Sequence, residues 1–295
     1  MKTMIGIFNP KAGKGEGFVV AEKTMARFKT SGIKLELIET NRRGHAMQIA
    51  HEQYQKGHRD FVCMGGDGTL YEIINGVFQD GPPESVNLAI VPIGTGNSFL
   101  KDFNDHSMNL ADKIVQNKTR PCDVIETIHA HGKLHWINIF SFGFTANVGA
   151  TRNRSFSNIG TIGYSFSVFL ELQRLSSRLY KMKLDERYLE TDATFISINN
   201  TRFTGGNMMM APGAKPDDGL LDVIEVQKMG RLELLRAFPR IFQGTHIALP
   251  NIKSYKTKTI EFAFNQPLDV MIDGEMMNIH PFSMNVIPGA IRIYA

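Results

Sequence analysis

Three short glycine-bearing segments, each placed directly after an apolar, β-branched run, carry residue types suited to binding phosphate. Asn9-Pro10-Lys11-Ala12-Gly13-Lys14-Gly15 follows Met4 to Phe8. Its glycines let the backbone approach an anion, the helix behind it offers free N–H groups, and Lys11 and Lys14 add positive charge. It lacks the G-x-x-x-x-G-K-[ST] spacing of a Walker loop, and taken alone an ordinary glycine-rich connector explains it equally well. Gly65-Gly66-Asp67-Gly68-Thr69, after Phe61 to Met64, is more specific. Three glycines around one carboxylate form a loop that wraps a polyphosphate, while Asp67 holds Mg²⁺ directly or through water. Thr69 and Glu72 stand at capping-box spacing and predict the start of the next helix. Gly94-Thr95-Gly96-Asn97, after Leu88 to Pro92, repeats the arrangement. Three such loops at successive strand ends converge on one crevice, and a nucleotide is the favoured ligand.

A second group of carboxylates lies late in the chain. Asp273 and Glu275 flank Gly274 after the strand-like run Leu268 to Ile272. Two acids at i, i+2 on an extended segment point the same way and can accept a proton from an alcohol, with Asp273 slightly favoured as the base. A plain Asp-Gly hairpin turn is the alternative. His129, His131 and His135 look like a metal cluster, but His131-Gly132-Lys133 reads as a hairpin turn with the histidines on an exposed face. Met208-Met209-Met210 reads as a core strand whose flexible side chains would also suit an acyl chain.

The elements that position these residues fall into two textures. Up to about Val124, strands alternate with helical patterns: Met4 to Phe8, helix Phe18 to Lys29, Leu35 to Thr40, helix Ala46 to Tyr54, Phe61 to Met64, helix Leu70 to Phe78, Leu88 to Pro92, helix Asn109 to Gln116. This order predicts an α/β domain with a parallel sheet covered on both faces, and ligands beyond the carboxyl ends of its strands. Beyond Val124, closely spaced strands predict a β-rich domain, a pair of packed sheets carrying helices near Ile159 to Leu175 and Leu232 to Phe242. The expected domains are 1–124 and 125–282, with 283–295 able to complete the first and the active site between them. In the second helix Leu232, Leu235, Phe238 and Ile241 form the expected core face.

Composition narrows the classes. The 295 residues carry 33 Lys and Arg against 29 Asp and Glu, too small a surplus for a general nucleic-acid coat. Cys63 and Cys122 stand apart in apolar stretches, which predicts reduced core thiols. No leader pattern precedes the first strand and no apolar run reaches the ~20 residues of a spanning helix, so a cytoplasmic protein is expected. The stretch from Lys228 to Lys258, with Arg231, Arg236, Arg240, Lys253 and Lys256, is basic apart from Glu233.

Together, Asn9-Pro10, Gly65 to Thr69 with Glu72, Gly94 to Asn97, Asp218-Gly219-Leu220-Leu221-Asp222 and Asp273-Gly274-Glu275 resemble the ordered motifs of the diacylglycerol-kinase catalytic domain, shared with sphingosine kinases and bacterial lipid kinases. The resemblance implies a nucleotide domain similar to those of phosphofructokinases and NAD kinases, a lipid-holding C-terminal β-sandwich, and transfer of the γ-phosphate of ATP to a lipid hydroxyl, most simply diacylglycerol. It implies nucleotide contacts at Thr40, Gly66 to Glu72 and Thr95, and an essential lysine at Lys14. It implies a catalytic Mg²⁺ near Asp67 and Asp123, a structural Mg²⁺ at Lys215, Asp218 and Leu220, lipid-domain residues at Asn138, Gly143, Asn199 and Ala211-Pro212, and a base at Asp273 or Glu275.

One position departs from the pattern: bacterial members usually carry Asp where this chain has Ser98, a feature shared with sphingosine kinases. Competing readings are a sphingosine- or ceramide-type kinase, an NAD or sugar kinase, and a nucleotide-regulated lipid-binding pseudokinase. The Thr-Pro-x-Gly-Ser-Thr-Ala-Tyr stretch of NAD kinases is missing. The expected partners are the lipid substrate and an anionic membrane surface at the inner face, with Arg236, Arg240, Lys253 and Lys256 toward it. A homodimer is a further candidate, and no nucleic acid is expected.

Overall fold

The computed structural model describes residues 2–93, 97–103, 107–143 and 176–295; of Lys14 only the backbone is described. The chain divides into two compact units. The first comprises Met1–Val124, Pro216–Asp218 and Ile287–Ala295, and the second Ile125–Lys215 and Gly219–Val286.

In the first unit, strands β1 (Lys2–Phe8), β2 (Ile33–Glu39), β3 (Asp60–Gly65) and β4 (Val86–Pro92) alternate with helices α1 (Gly17–Thr30), α2 (His45–Gln55), α3 (Asp67–Val77) and α4 (Leu110–Val115). β1 pairs in parallel with both β2 and β3, β3 pairs in parallel with β4, and Ile291–Ile293 near the end of the chain adds a parallel strand beside β4. The apolar runs in β1, β3 and β4 are nearly continuous because helices cover both faces. Met4, Val62, Met64 and Ala89 of the sheet meet Ala21 and Phe28 of α1 and Ala111 and Ile114 of α4 in one core cluster. Since β2 lies on one side of β1 and β3 on the other, strand order reverses at β1. The crevice beyond the carboxyl ends of β1 and β3 is therefore the expected ligand position.

Strand β5 (Thr119–His129) has its last residues in the second unit, where it forms a hairpin with β6 (Gly132–Trp136). The turn is Ala130-His131; His131 is exposed as expected, whereas His135 is buried, 3.6 Å from Glu126, and does not share an exposed face with it. Strands β7 (Ile139–Gly143), β8 (Arg178–Leu184) and β9 (Arg187–Asn199) follow. β9 is the hub: its first half pairs with β8, and its second half lies between β7 and a later strand, β12 (Leu221–Gln227). β10 (Phe203–Thr204) and β11 (Met208–Met209) form a separate short ribbon, with Met208 and Met210 buried as core.

Helix α5 (Arg231–Ile241) precedes β13 (Ile252–Thr257), β14 (Thr259–Phe262), β15 (Leu268–Ile272), β16 (Glu275–Ile279) and β17 (Pro281–Tyr294), whose last residues belong to the first unit. β13 lies inside the basic stretch. Sequence spacing put Leu232 and Leu235 on the core face of α5. Instead Leu234 and Ala237 are buried, Leu234 in a core cluster with Met229 and Ile252 against which Phe238 packs, and Leu232 and Leu235 are exposed. The helix expected near Ile159 to Leu175 lies outside the described residues. Cys63 and Cys122 are buried free thiols. Among the described residues no helix is long and apolar enough to cross a membrane.

Candidate active site

The glycine loops of the first unit are hydrogen-bonded to one another. Asn9 N–H donates to Met64 O at 3.1 Å, and Ile93 N–H donates to Gly65 O at 3.2 Å. The Asn9 side chain turns its own loop, with Oδ1 accepting from Lys11 N–H at 3.0 Å. Gly13 has φ +60, and a Cβ there would lie 3.0 Å from both Cγ2 and the carbonyl oxygen of Ile93, so only glycine lets the first loop pack on the end of β4. Thr40 joins the same edge, its N–H donating to Phe8 O at 2.9 Å. Asn9, Lys11, Gly13, Thr40 and Gly65 to Thr69 are thereby gathered around the reversal of strand order. Asn97 is placed just past β4 with φ +35, while Gly94, Thr95 and Gly96 lie outside the described residues.

Asp67 is the first residue of α3, at the helix end where the leading amides lack an intrahelical partner until Thr69 N–H reaches Gly66 O at 3.1 Å. Burial pushes its carboxyl pKa up to about 6, opposed by a hydrogen bond from the backbone of Ser98. The position at which Ser98 departs from the bacterial pattern therefore still serves Asp67, through its main chain. A Cβ on Gly65 would strike Thr69 Oγ1 at 2.4 Å, whereas one on Gly66 would meet nothing within 4 Å. The loop is tight behind and open in front.

One expectation for this unit needs correction. Helix α3 starts at Asp67, so Thr69 is already inside it and no Thr69–Glu72 capping box forms. Glu72 caps a different helix: its two carboxylate oxygens accept from Gly44 N–H at 2.7 Å and Ala46 N–H at 3.0 Å, at the start of α2. Asp123 is buried and has a main-chain donor, Gly289 N–H, 2.7 Å from Oδ1. Among the described residues no group of three His, Cys, Asp or Glu side chains forms a metal cage. Lys215 and Leu220 belong to the second unit and Asp218 to the first.

In the second unit, Asp273 and Gly274 form the two-residue turn of the β15–β16 hairpin, with φ +47 and +90 as a type I′ turn requires. Asp273 is therefore not extended, and the expected parallel display of Asp273 and Glu275 does not occur. The buried Asp273 carboxylate accepts three main-chain N–H groups, those of Ile137 at 2.9 Å, Asn138 at 3.0 Å and Ile139 at 2.9 Å. Both of its oxygens are engaged in holding the bend between β6 and β7. Glu275 is half-buried at the first position of β16. Sequence reasoning missed this role because the three donors are 134 to 136 residues away.

The other lipid-domain residues are structural supports. Asn138 Oδ1 accepts from Thr201, and Asn199 Nδ2 donates to the carbonyls of Ser197 and Asp222 at 3.1 and 3.0 Å. Gly143, at φ +87, passes so close to β9 that a Cβ would lie 2.6 Å from Thr194 O. Beside these strands stands an aromatic cluster that spacing had not revealed: Phe142 packs against Tyr180 at 5.0 Å and Phe264 at 5.6 Å between ring centroids, and Phe264 against Phe262 at 5.1 Å. A hollow of about 450 Å³ opens there, its wall divided between apolar residues, Leu179, Phe264 and Leu268 among them, and polar ones, Arg178, Lys181 and Gln266 among them.

Comparison with known proteins decides the family. Residues 3–127 match the diacylglycerol kinase catalytic domain, and residues 138–295 match the YegS C-terminal NAD kinase beta sandwich-like domain. The chain belongs to the diacylglycerol kinase family. A diacylglycerol kinase of Mycobacterium tuberculosis is 28% identical over 290 residues, covering 97% of this chain and 92% of the relative. One of Staphylococcus haemolyticus is 26% identical over 275 residues, covering 91% and 81%. A diacylglycerol kinase structure from Bacillus anthracis str. Sterne superposes with TM-score 0.70 at 21% identity, covering 99% of this chain and 96% of that one. Another from the same organism reaches 0.79 at 24%, with the same coverage. At those identities the structures establish the fold. As a member of the diacylglycerol kinase family the chain is an enzyme, a kinase with an N-terminal parallel α/β domain and a C-terminal β-sandwich-like domain.

Proposed function

We propose that this kinase transfers the γ-phosphate of ATP to a lipid hydroxyl, with diacylglycerol as the first acceptor to test and a sphingoid-type alcohol as the second. The observation that carries the reading is Asp67: a carboxyl held near pKa 6 by burial, at the first turn of α3, among loops bonded together at the reversal of strand order. A bound cation would offset the cost of burying this charge and favour the ionised form. Mg²⁺ therefore fits, and when bound it neutralises charge on the phosphates. The chain's own part is to cradle the polyphosphate with the amides of Gly66, Asp67 and Gly68, the loop from Asn9 to Gly15, Thr69 and Asn97.

On the acceptor side Glu275 is assigned as the base. As the lipid oxygen bonds to phosphorus and the bond from phosphorus to ADP breaks, the hydroxyl proton passes to the Glu275 carboxylate. Asp273, saturated by three amide donors, positions Glu275 by fixing the hairpin. The aromatic hollow beside β8 and β14 supplies apolar surface for an acyl chain. Incubation with γ-labelled ATP and a panel of diacylglycerol, monoacylglycerol, sphingosine and ceramide in mixed micelles tests the reading. Label in one lipid product is expected, and label transferred to none of them opposes it.

A further inference from the structure

Helix α5 has two apolar rows, and only one is buried; of the other, Phe242 alone meets a ring of the first, Phe238, edge-on at 5.8 Å between centroids. Leu234 and Ala237 are buried and Phe238 packs behind them, while Leu232 is 69% exposed, Leu235 43% and Phe242 48%. Leu232, Leu235, Pro239 and Phe242 fall at i, i+3, i+7 and i+10, a single outward face of one helix. A row of large side chains left in water is costly unless something covers it.

The charges beside the row identify what that is. Arg231 flanks it on one edge and Arg236 and Arg240 on the other, and neither Arg236 nor Arg240 is paired with a carboxylate among the described residues. The one acid of the helix, Glu233, is spent on its N-terminus, accepting from Gly230 N–H at 2.8 Å. A second copy of this chain placed symmetrically on the row would bring arginines against arginines. A surface apolar within and negatively charged at its rim complements both features, and that is an anionic bilayer. The basic stretch read from the sequence is narrowed accordingly: Lys256 is taken up by the buried Asp222, 2.9 Å away, and by Gly213 O, so it belongs to the fold.

We propose that α5 lies flat in the headgroup region of an anionic membrane, with Leu232, Leu235 and Phe242 inserted and Arg231, Arg236 and Arg240 against the lipid phosphates. The inference rests on the lipid-kinase reading for its purpose, but its test does not require catalysis.

Partition onto phosphatidylcholine vesicles, with and without equimolar phosphatidylglycerol, is measured by sedimentation in the absence of ATP. The wild type partitions onto the anionic vesicles, and both Arg236→Gln/Arg240→Gln and Leu232→Ser/Leu235→Ser/Phe242→Ser lower partition roughly tenfold or more. Turnover of a dispersed short-chain acceptor stays unchanged in both. A third variant, Leu235→Trp, gives a blue-shifted emission with anionic vesicles against the constant background of the buried Trp136, and decides the matter if the others fail to fold. Wild-type partition in both multiple variants, or a Leu235→Trp emission indifferent to anionic vesicles, overturns the proposal. So does a wild-type dimer that the triple-serine variant converts to monomer, because a second copy would then be the occupant. Vesicle binding through α5 by a protein that phosphorylates no lipid would sink the kinase reading and leave this one standing.

Discussion

Asp273 and Ile139 exchange two hydrogen bonds: Ile139 N–H donates to the Asp273 carboxylate at 2.9 Å, and Asp273 N–H donates to Ile139 O at 2.9 Å. An acid tied to one main-chain residue in both directions, with two further amide donors on its oxygens, is part of the framework. The neighbouring acid, Glu275, is the one proposed above as the base, which gives the two residues of one tripeptide separable roles to test.

Their variants should separate in the same way. Glu275→Gln is expected to lower kcat by about a hundredfold or more with Tm and ATP affinity little changed. Asp273→Asn leaves an amide facing N–H donors and should destabilise the fold by about 1–3 kcal/mol, read as a lower denaturant midpoint. Equal loss of kcat in both with no stability difference would show that Asp273 acts in the chemistry itself.

Glu72 gives a test of structure against ligand contact. Because its carboxylate caps α2 through Gly44 and Ala46, Glu72→Ala should cost about 1 kcal/mol of stability with or without nucleotide. A fully stable variant with weakened ATP binding would mean that the side chain leaves the cap to reach the nucleotide.

The structural Mg²⁺ implied at Lys215, Asp218 and Leu220 predicts that EDTA lowers Tm, and that Asp218→Ala lowers it to the same extent and abolishes the EDTA effect. If chelation leaves Tm unchanged and the variant is as stable as wild type, no ion is held there.

The placement of the glycine loops at the strand ends is legible in the sequence because its information is local. Gly13, Gly65 and Asp67 sit within a few residues of the strand ends that place them, and the βαβ order fixes which edge those ends share. Residues whose partners are remote were not legible. Asp273 reads as an extended acid until Ile137 to Ile139 are folded against it, and Glu72 reads as the cap of its own helix until α2 is brought alongside. The face of α5 was misread for a different reason. Leu232 and Leu235 have the same i, i+3 spacing as Leu234 and Ala237, and only the packing against Met229 and Ile252 selects between them.

Asp67 also carries a pH dependence whose sign is fixed by its shift. Its folded pKa, about 6, lies above the unfolded value of 3.8, so its contribution to stability is fully present below pH 3.8 and is lost as pH rises through about 6. Binding of a cation to the ionised form runs the other way: Mg²⁺-ATP affinity should fall as pH drops through about 6, with proton release on binding. Calorimetry in buffers of different ionisation enthalpy measures that release, and none near pH 6 would mean that Asp67 is not at the cation.

Phosphoryl transfer that needs Asp67 charged and buried would carry a cost to the fold. Asp67→Asn exposes both sides of that exchange when kcat and the Tm of the nucleotide-free protein are measured on the same preparation at pH 8. A kcat lower by about a hundredfold or more is expected together with a Tm equal to or above that of the wild type. Near-normal kcat in the folded variant would contradict it, and so would a loss of activity that merely follows a fall in Tm.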